Sequence, residues 1–328
     1  LTRIVSGIKP SGDLTIGNYL GAMKGWAGNQ HREGYENFFF IANLHAITVR
    51  QDPEQLKKRT FDIVAWLLTV GVDPNHSVIF IQSMIPAHSE LSWILNNYVT
   101  MGELSKMTQF KDKSVKAGKE GQLVGLYDYP VLMAGDVLLY DADEIPVGLD
   151  QVQHVELSRT IAQRFNNQHG ETFTIPKAVL SKTTAKIMAL NDPLKKMSKS
   201  ESDDSFIAMD EKADQIIKKF KRAVTDSENK IKYSKDKPAI SNLLTIYSEF
   251  SNKPIDDIEA DYQDKGYGQL KNDIGEIVAQ KLTELQSRFI EIRYDEERLN
   301  NVVKEGNSKA GTIANEKMDS VKSKLGLV

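Results

Sequence analysis

The sequence predicts an α/β chain, with a parallel sheet in its first part and helices alone after it. Three observations carry this reading. Apolar runs of strand length alternate with segments of helical period as far as residue 166. Strand signals fade from about residue 205. At 328 residues the chain is long enough for a sizeable core and for two domains.

The elements follow in order. "RIVSG" (3–7) reads as a short buried strand that ends at a glycine turn. "LTIGNYLGAMKGWA" (14–27) reads as a helix, and "NFFFIANLHAITV" (37–49) as a strand running into a loop. In 53–71 the apolar residues Leu56, Phe61, Val64, Leu67 and Leu68 keep a helical period up to Gly71. "SVIFIQS" (77–83) is a β-branched run of strand length, and "YPVLMAGDVLLY" (129–140) is read as a helix. "EIPVG" (144–148) is a strand followed by a helix over 150–166. Such alternation implies parallel βαβ units with the site at the strand C-terminal ends. The loops after "RIVSG" and "EIPVG" are therefore expected there. Segments 212–224, 238–251 and 267–293 are helical by period. The expected organisation is a Rossmann-like catalytic domain over 1–200, with a helical insertion near 100–140, and a helical domain over 201–328. The last helix is expected to pack back on the first domain. The lysine-rich "KDKSVKAGKEG" (111–121) reads either as a mobile insertion or as a plain solvated loop.

Composition removes several classes of function. No cysteine is present, which excludes disulfides, thiol nucleophiles and thiolate metal sites and fits a cytoplasmic chain. No apolar run approaches the roughly 18 residues of a membrane span, and no signal peptide is read. A formal charge of −3 says nothing about nucleic acid. A binder needs a local basic patch instead, and residues 212–237 hold nine Lys or Arg against four Asp or Glu. A charged helix face explains that run equally well.

Two short stretches carry chemistry. In "GIKPSGDLTIGN" (7–18), Gly7 and Gly12 have the spacing of the first two P-loop glycines. Asp13 and Leu14 then stand where Lys and Ser or Thr are required, so the ordinary P-loop is rejected. Gly12 and Gly17 still allow close backbone approach. Thr15 to Asn18 open a helix whose free N–H groups and dipole favour anions. The plain alternative is a strand–turn–helix with an N-cap. In "KKMSKS" (195–200), Lys196 and Lys199 flank Met197 and Ser198 and suit a polyphosphate clamp. The plain alternative is a surface turn after Asp192 and Pro193.

Together the two stretches resemble the signatures of class I aminoacyl-tRNA synthetases, whose loops converge on one ATP from opposite sides. The first signature usually reads His-Ile-Gly-His, and Thr15-Ile16-Gly17-Asn18 departs at both histidines. The bacterial tryptophanyl-tRNA synthetases are similar in this respect. "LHAITVRQDP", "IQSMIPAH", "GELSKMTQFKDKS", "YPVLMAGDVLLYDADEIPVGLDQVQHVELSRTIAQRFN" and "RAVTDSE" extend the resemblance over nearly the whole chain, in order.

The resemblance implies two reactions, adenylation of L-tryptophan by ATP and acyl transfer to tRNA(Trp). It implies Lys196, Lys199, Lys111 and Thr15 as catalytic residues, with Lys111 meeting the leaving pyrophosphate. It places ATP on Lys9, Ser11, Gly17, Asn18, Gly148, Asp150, Gln151, Met197 and Ser198. Asp150 would repel phosphate, so ribose contact or helix capping suits it better. Many relatives carry Gln where Lys9 stands, and a lysine there either adds charge near the phosphates or points to solvent. Tryptophan is placed on Met133 and Asp136, three apart on one helix face, with Val5, Gly7, His45, Ile145 and Val147 as the other walls. An indole N–H only donates, so a carboxylate is its sensible partner. The family often has an aromatic where Val5 stands. Mg²⁺ is expected to arrive with ATP rather than in a protein cage, and the family forms homodimers bridged by one tRNA. Two alternatives are a tyrosine-specific relative and a catalytically silent paralogue that binds tRNA or tryptophan.

Overall fold

The computed structural model describes residues 1–111, 123–180, 186–199 and 202–328. Five strands, β1 (Thr2–Ile8), β2 (Tyr35–Ile41), β3 (Ser77–Ile81), β4 (Glu144–Val147) and β5 (Lys177–Leu180), form one sheet in the order β3-β2-β1-β4-β5. Every pairing is parallel, with Val5 opposite Phe38 and Gly7 opposite Phe40. Side chains alternate between faces, as a pleated strand requires. Val5, Phe38, Phe40, Phe80 and Ile145 enter one apolar layer, and Ile8, Phe39, Ile41, Ile79 and Ile81 enter the other. The strand order reverses between β1 and β4, which opens a crevice at their C-terminal ends.

Helices cover both faces. α1 (Pro53–Thr69) starts on Asp52, whose side chain accepts from the Gln55 N–H at 2.9 Å, with proline in its first turn. α2 (Ala87–Leu95), α3 (Val124–Leu138) and α4 (Val152–His169) pack on the Val5 face. α5 (Ala213–Arg222), α6 (Pro238–Ser251), α7 (Ile255–Asp261) and α8 (Tyr267–Tyr294) follow. Phe220, Leu270 and Leu282 share a continuous apolar cluster with Ile8, Phe39 and Trp66. α9 (Glu296–Leu325) returns to the edge strand β3. Its Gly306 lies so close to the Ile79 carbonyl that a Cβ would overlap it, and the Asn307 carboxamide oxygen accepts from the Ile81 N–H at 2.9 Å.

Some expectations need correction. The segment 37–49 does not run from a strand into a loop. β2 stops at Ile41 and Asn43–Ala46 form a helical turn. Side chains hold that turn, since the Leu44 N–H donates to Gln82 at 3.0 Å and Asn43 exchanges two bonds with Ser83. The helix read over 14–27 runs as Ile16–Asn18, a π-helical turn Tyr19–Met23 and Lys24–Asn29. β5 and α7 carry no clear periodic signal and were not expected. Of the lysine-rich insertion only Lys111 is described, and Ser200 of the "KKMSKS" stretch also lies outside the described residues. No helix among the described residues is long and apolar enough to cross a membrane.

Candidate active site

The two signature loops touch. After "KKMSKS" the chain returns beside the opening loop, where the Ile16 N–H donates to the Ile207 carbonyl at 3.0 Å and the Met209 N–H to the Leu14 carbonyl at 2.8 Å. Thr15 is buried at this junction, and its N–H and hydroxyl both donate to the Asn18 carboxamide oxygen, at 2.9 and 3.1 Å. That cap fixes the first helical turn. Gly17 lies against Met197, and a Cβ on it would sit 3.5 Å from the methionine Cβ. Met197 is buried and its N–H donates to the Ile187 carbonyl at 3.0 Å, so a short hairpin holds the loop in place. Lys199 pairs with Asp13 of the opening loop, and Asp13 also accepts from Arg59 at 3.3 Å. Lys196 and Ser11 are exposed. Lys9 follows β1 directly, and burial lowers its ammonium pKa below the ordinary lysine value.

A second group lies after β4. Gly148, Asp150 and Gln151 form a turn leading into α4, with Gly148 and Asp150 exposed and Gln151 half-buried. A Cβ on Gly148 would fall 2.7 Å from Asp150 Oδ1, so glycine keeps that carboxylate close. Two residues that sequence reasoning passed over brace this turn. Gln109 donates to the Asp150 carbonyl at 3.1 Å, and Thr108 donates to Gln153 through N–H and hydroxyl at 3.0 and 2.9 Å. The segment ending at Lys111 is thereby held beside Asp150. Burial and the Asp150 charge push the Tyr129 phenol up to about 12.

The third group surrounds Asp136. It is fully buried on α3, yet three side chains converge on it. Oδ1 accepts from Gln82 Nε2 at 2.6 Å and from His88 Nδ1 at 2.7 Å, while Oδ2 accepts from His45 Nε2 at 2.7 Å. An ionised carboxylate only accepts, so both imidazoles donate here. His88 Nε2 is hydrogen-bonded in turn to the Tyr140 hydroxyl at 2.8 Å. Burial pushes the Asp136 carboxyl up, but His45 and His88 outweigh it and hold it down at about 2. A carboxylate offers about four lone-pair sites. Three are filled, and the one left is on Oδ2, beside the partly exposed His45.

The structure therefore brings His45 and Asp136 together, with Met133 and Val147 half-buried nearby and Gly7 exposed at the end of β1. Val5 and Ile145 sit behind them inside the core. Gln82, His88, Tyr140 and Phe40 had no assigned role from sequence. A buried Gln and His in "IQSMIPAH" were the available signal.

Glycine turn, lysine loop and buried carboxylate all gather at the C-terminal ends of the parallel strands. That arrangement defines a nucleotide-binding α/β catalytic unit of the class I aminoacyl-tRNA synthetase kind. The family model "tRNA synthetases class I (W and Y)" matches residues 1–283, and the chain belongs to that family. Its relatives point to one amino acid. "Tryptophan--tRNA ligase" of Caldanaerobacter subterraneus subsp. tengcongensis is 46% identical over 330 residues, covering 100% of this chain and 99% of the relative. The crystal structure of tryptophanyl-tRNA synthetase from Mycoplasma pneumoniae superposes with a TM-score of 0.92 at 36% identity, over 100% of this chain and 98% of that one. The Campylobacter jejuni enzyme, complexed with ADP and tryptophan, gives 0.84 at 35% identity, over 99% and 100%.

Proposed function

We propose that the chain is a tryptophan–tRNA ligase. The observation that carries this is the ionised, buried Asp136, held by three donors with one acceptor direction left on Oδ2, beside the partly exposed His45. An indole N–H completes it, and phenylalanine has no donor to offer. Met133 and Val147 line the ring, and Gly7 offers bare backbone at the strand end.

In the first step the tryptophan carboxylate oxygen attacks the α-phosphorus of ATP. The bond from that phosphorus to the bridging oxygen breaks, and pyrophosphate leaves. In the second step a hydroxyl of the 3′-terminal ribose of tRNA(Trp), the 2′-hydroxyl, attacks the acyl carbon and AMP leaves. The nucleophile is already charged in step one, so no serine, cysteine or base triad is needed. Catalysis comes from positioning and from charge stabilisation. Lys196 and Lys199 meet the phosphates, Thr15, Gly17 and Asn18 frame them, and Lys111 receives the departing pyrophosphate. Gly148, Asp150 and Gln151 hold the nucleoside. Among the described residues no three His, Asp or Glu side chains gather as a metal cage. The magnesium ion comes with the phosphates, as part of the MgATP substrate.

The tRNA meets the basic run at 212–237. Lys219 is drawn inside by Glu211 at 2.6 Å, and Lys237 pairs with Glu228 at the surface at 2.7 Å. The remaining basic residues face phosphate, and their contacts weaken with salt. The proposed second copy covers Trp93, Met101 and Val124, which are exposed in a single chain. Protein synthesis consumes the product, which places the chain in the cytoplasm. The test is exchange of labelled pyrophosphate into ATP with tryptophan, tyrosine or phenylalanine. Exchange with tryptophan alone is expected. No exchange with any of the three by folded protein would refute the ligase reading in favour of a binding-only paralogue.

A further inference from the structure

We infer that Phe40, a residue of β2, is the aromatic wall of the tryptophan subsite. This rests on the ligase reading above. Phe40 stands opposite Gly7 in the β1–β2 register, on the sheet face that also carries α3 and Asp136. Its ring fills the volume that any side chain at residue 7 would need, since a Cβ on Gly7 would lie 2.6 Å from Phe40 Cζ. Glycine at position 7 is thus what lets the ring lean from β2 across the end of β1.

The other side of the ring faces the tryptophan-reading group. Phe40 is stacked on Phe80 at 5.6 Å and tilted over His88 at 6.1 Å. His88 is the imidazole that donates to Asp136. The ring therefore lies between the backbone of Gly7 and the imidazole that holds Asp136, with 5% of the residue's surface exposed. Val5, the diagonal neighbour of Phe40 on β1, is fully buried and has no π surface. A flat indole bound to Asp136 meets Phe40 instead, in an offset or edge contact. The Phe80 stack fixes the ring, so little rotamer freedom is lost on binding. Such an aromatic contact is worth roughly two- to tenfold in affinity beyond buried area.

The experiment uses two variants of the full chain in tryptophan-dependent pyrophosphate exchange. Phe40→Leu keeps an apolar side chain and removes the ring. The double variant Val5→Phe/Phe40→Val moves the ring to the diagonal neighbour on β1 and conserves total volume. We expect KM for tryptophan to rise about three- to tenfold in Phe40→Leu, with KM for ATP and kcat changed by less than about twofold. The swapped variant should recover most of that loss. An unchanged tryptophan KM in folded Phe40→Leu overturns the inference. So does a joint rise in both KM values with a lowered Tm, which marks a packing role alone. A folded swap that recovers nothing also counts against it. If the wild-type chain itself shows no exchange, the ligase reading fails instead. Equilibrium dialysis of labelled tryptophan against the same variants then tests the ring separately.

Discussion

Replacing Asp136 by asparagine separates recognition from folding. Alanine at 136 would strand Gln82, His88 and His45, which now donate at 2.6, 2.7 and 2.7 Å in a buried site. Each unpaired buried donor costs about 1–3 kcal/mol. Three of them approach the whole stability of a typical domain, about 5–15 kcal/mol. Asparagine keeps the shape. Its oxygen at the Oδ1 position still takes Gln82 and His88. Its NH₂ at the Oδ2 position faces His45, which accepts by changing tautomer. The second N–H of that group then points where the proposed function brings the indole N–H, donor against donor. The lost charged hydrogen bond and the mismatch together cost about 2–4 kcal/mol, or roughly 30- to 700-fold in kcat/KM for tryptophan. Pyrophosphate exchange at saturating ATP measures the ratio, and circular dichroism checks the fold. A folded Asp136→Asn variant within about threefold of wild type would sink the assignment of Asp136 as the indole acceptor.

Four further outcomes are expected. Tyr140→Phe leaves His88 Nε2 without its 2.8 Å partner in a buried site, so unfolding in urea should show a loss of about 1–3 kcal/mol. Asp136, and Glu103 bonded to Arg164, both have folded pKa values of about 2, below their ordinary 3.8 and 4.5. Their contribution to stability is full above those ordinary values and is lost as pH falls toward 2, so Tm should hold from pH 7 to about 5 and then drop. That drop should be shallower in Asp136→Asn. Lys196→Ala and Lys199→Ala should each lower the exchange rate by about a hundredfold while tryptophan binding by dialysis stays within about twofold, because the proposed function puts their charge on phosphate. Gly306→Ala should push α9 off β3 and cost about 1–3 kcal/mol, read as a lowered Tm.

Much of the sheet was legible because its strands are short, apolar and bounded by turns. "SVIFI" and the "NFFFI" run could hardly be anything else. The convergence of the two loops was readable through resemblance, whereas Asp13 pairing with both Lys199 and Arg59 was not. β5 was missed because Lys177 and Leu180 are exposed at the sheet edge, which leaves no alternation to detect. The braces on Asp136 were missed for a different reason. His88 is 48 residues away in sequence, and only the packing of α2 on α3 brings it near. Charge counting also misled in one place, since Lys219 belongs to a surface run by composition yet is drawn inside by Glu211. Sequence patterns report a residue's own preference, while these residues are defined by their neighbours.

The contact of α9 with β3 bears on how the chain is made. β3 is an edge strand of apolar sequence, and Asn307 occupies one of its outward N–H groups. A ribosome emits β3 more than two hundred residues before Asn307. Throughout that interval the strand stands as a bare template for a neighbouring chain. A nicked or prematurely ended polypeptide keeps that template permanently. Such fragments should self-associate through β3, whereas the finished chain has its edge shut by its own last helix.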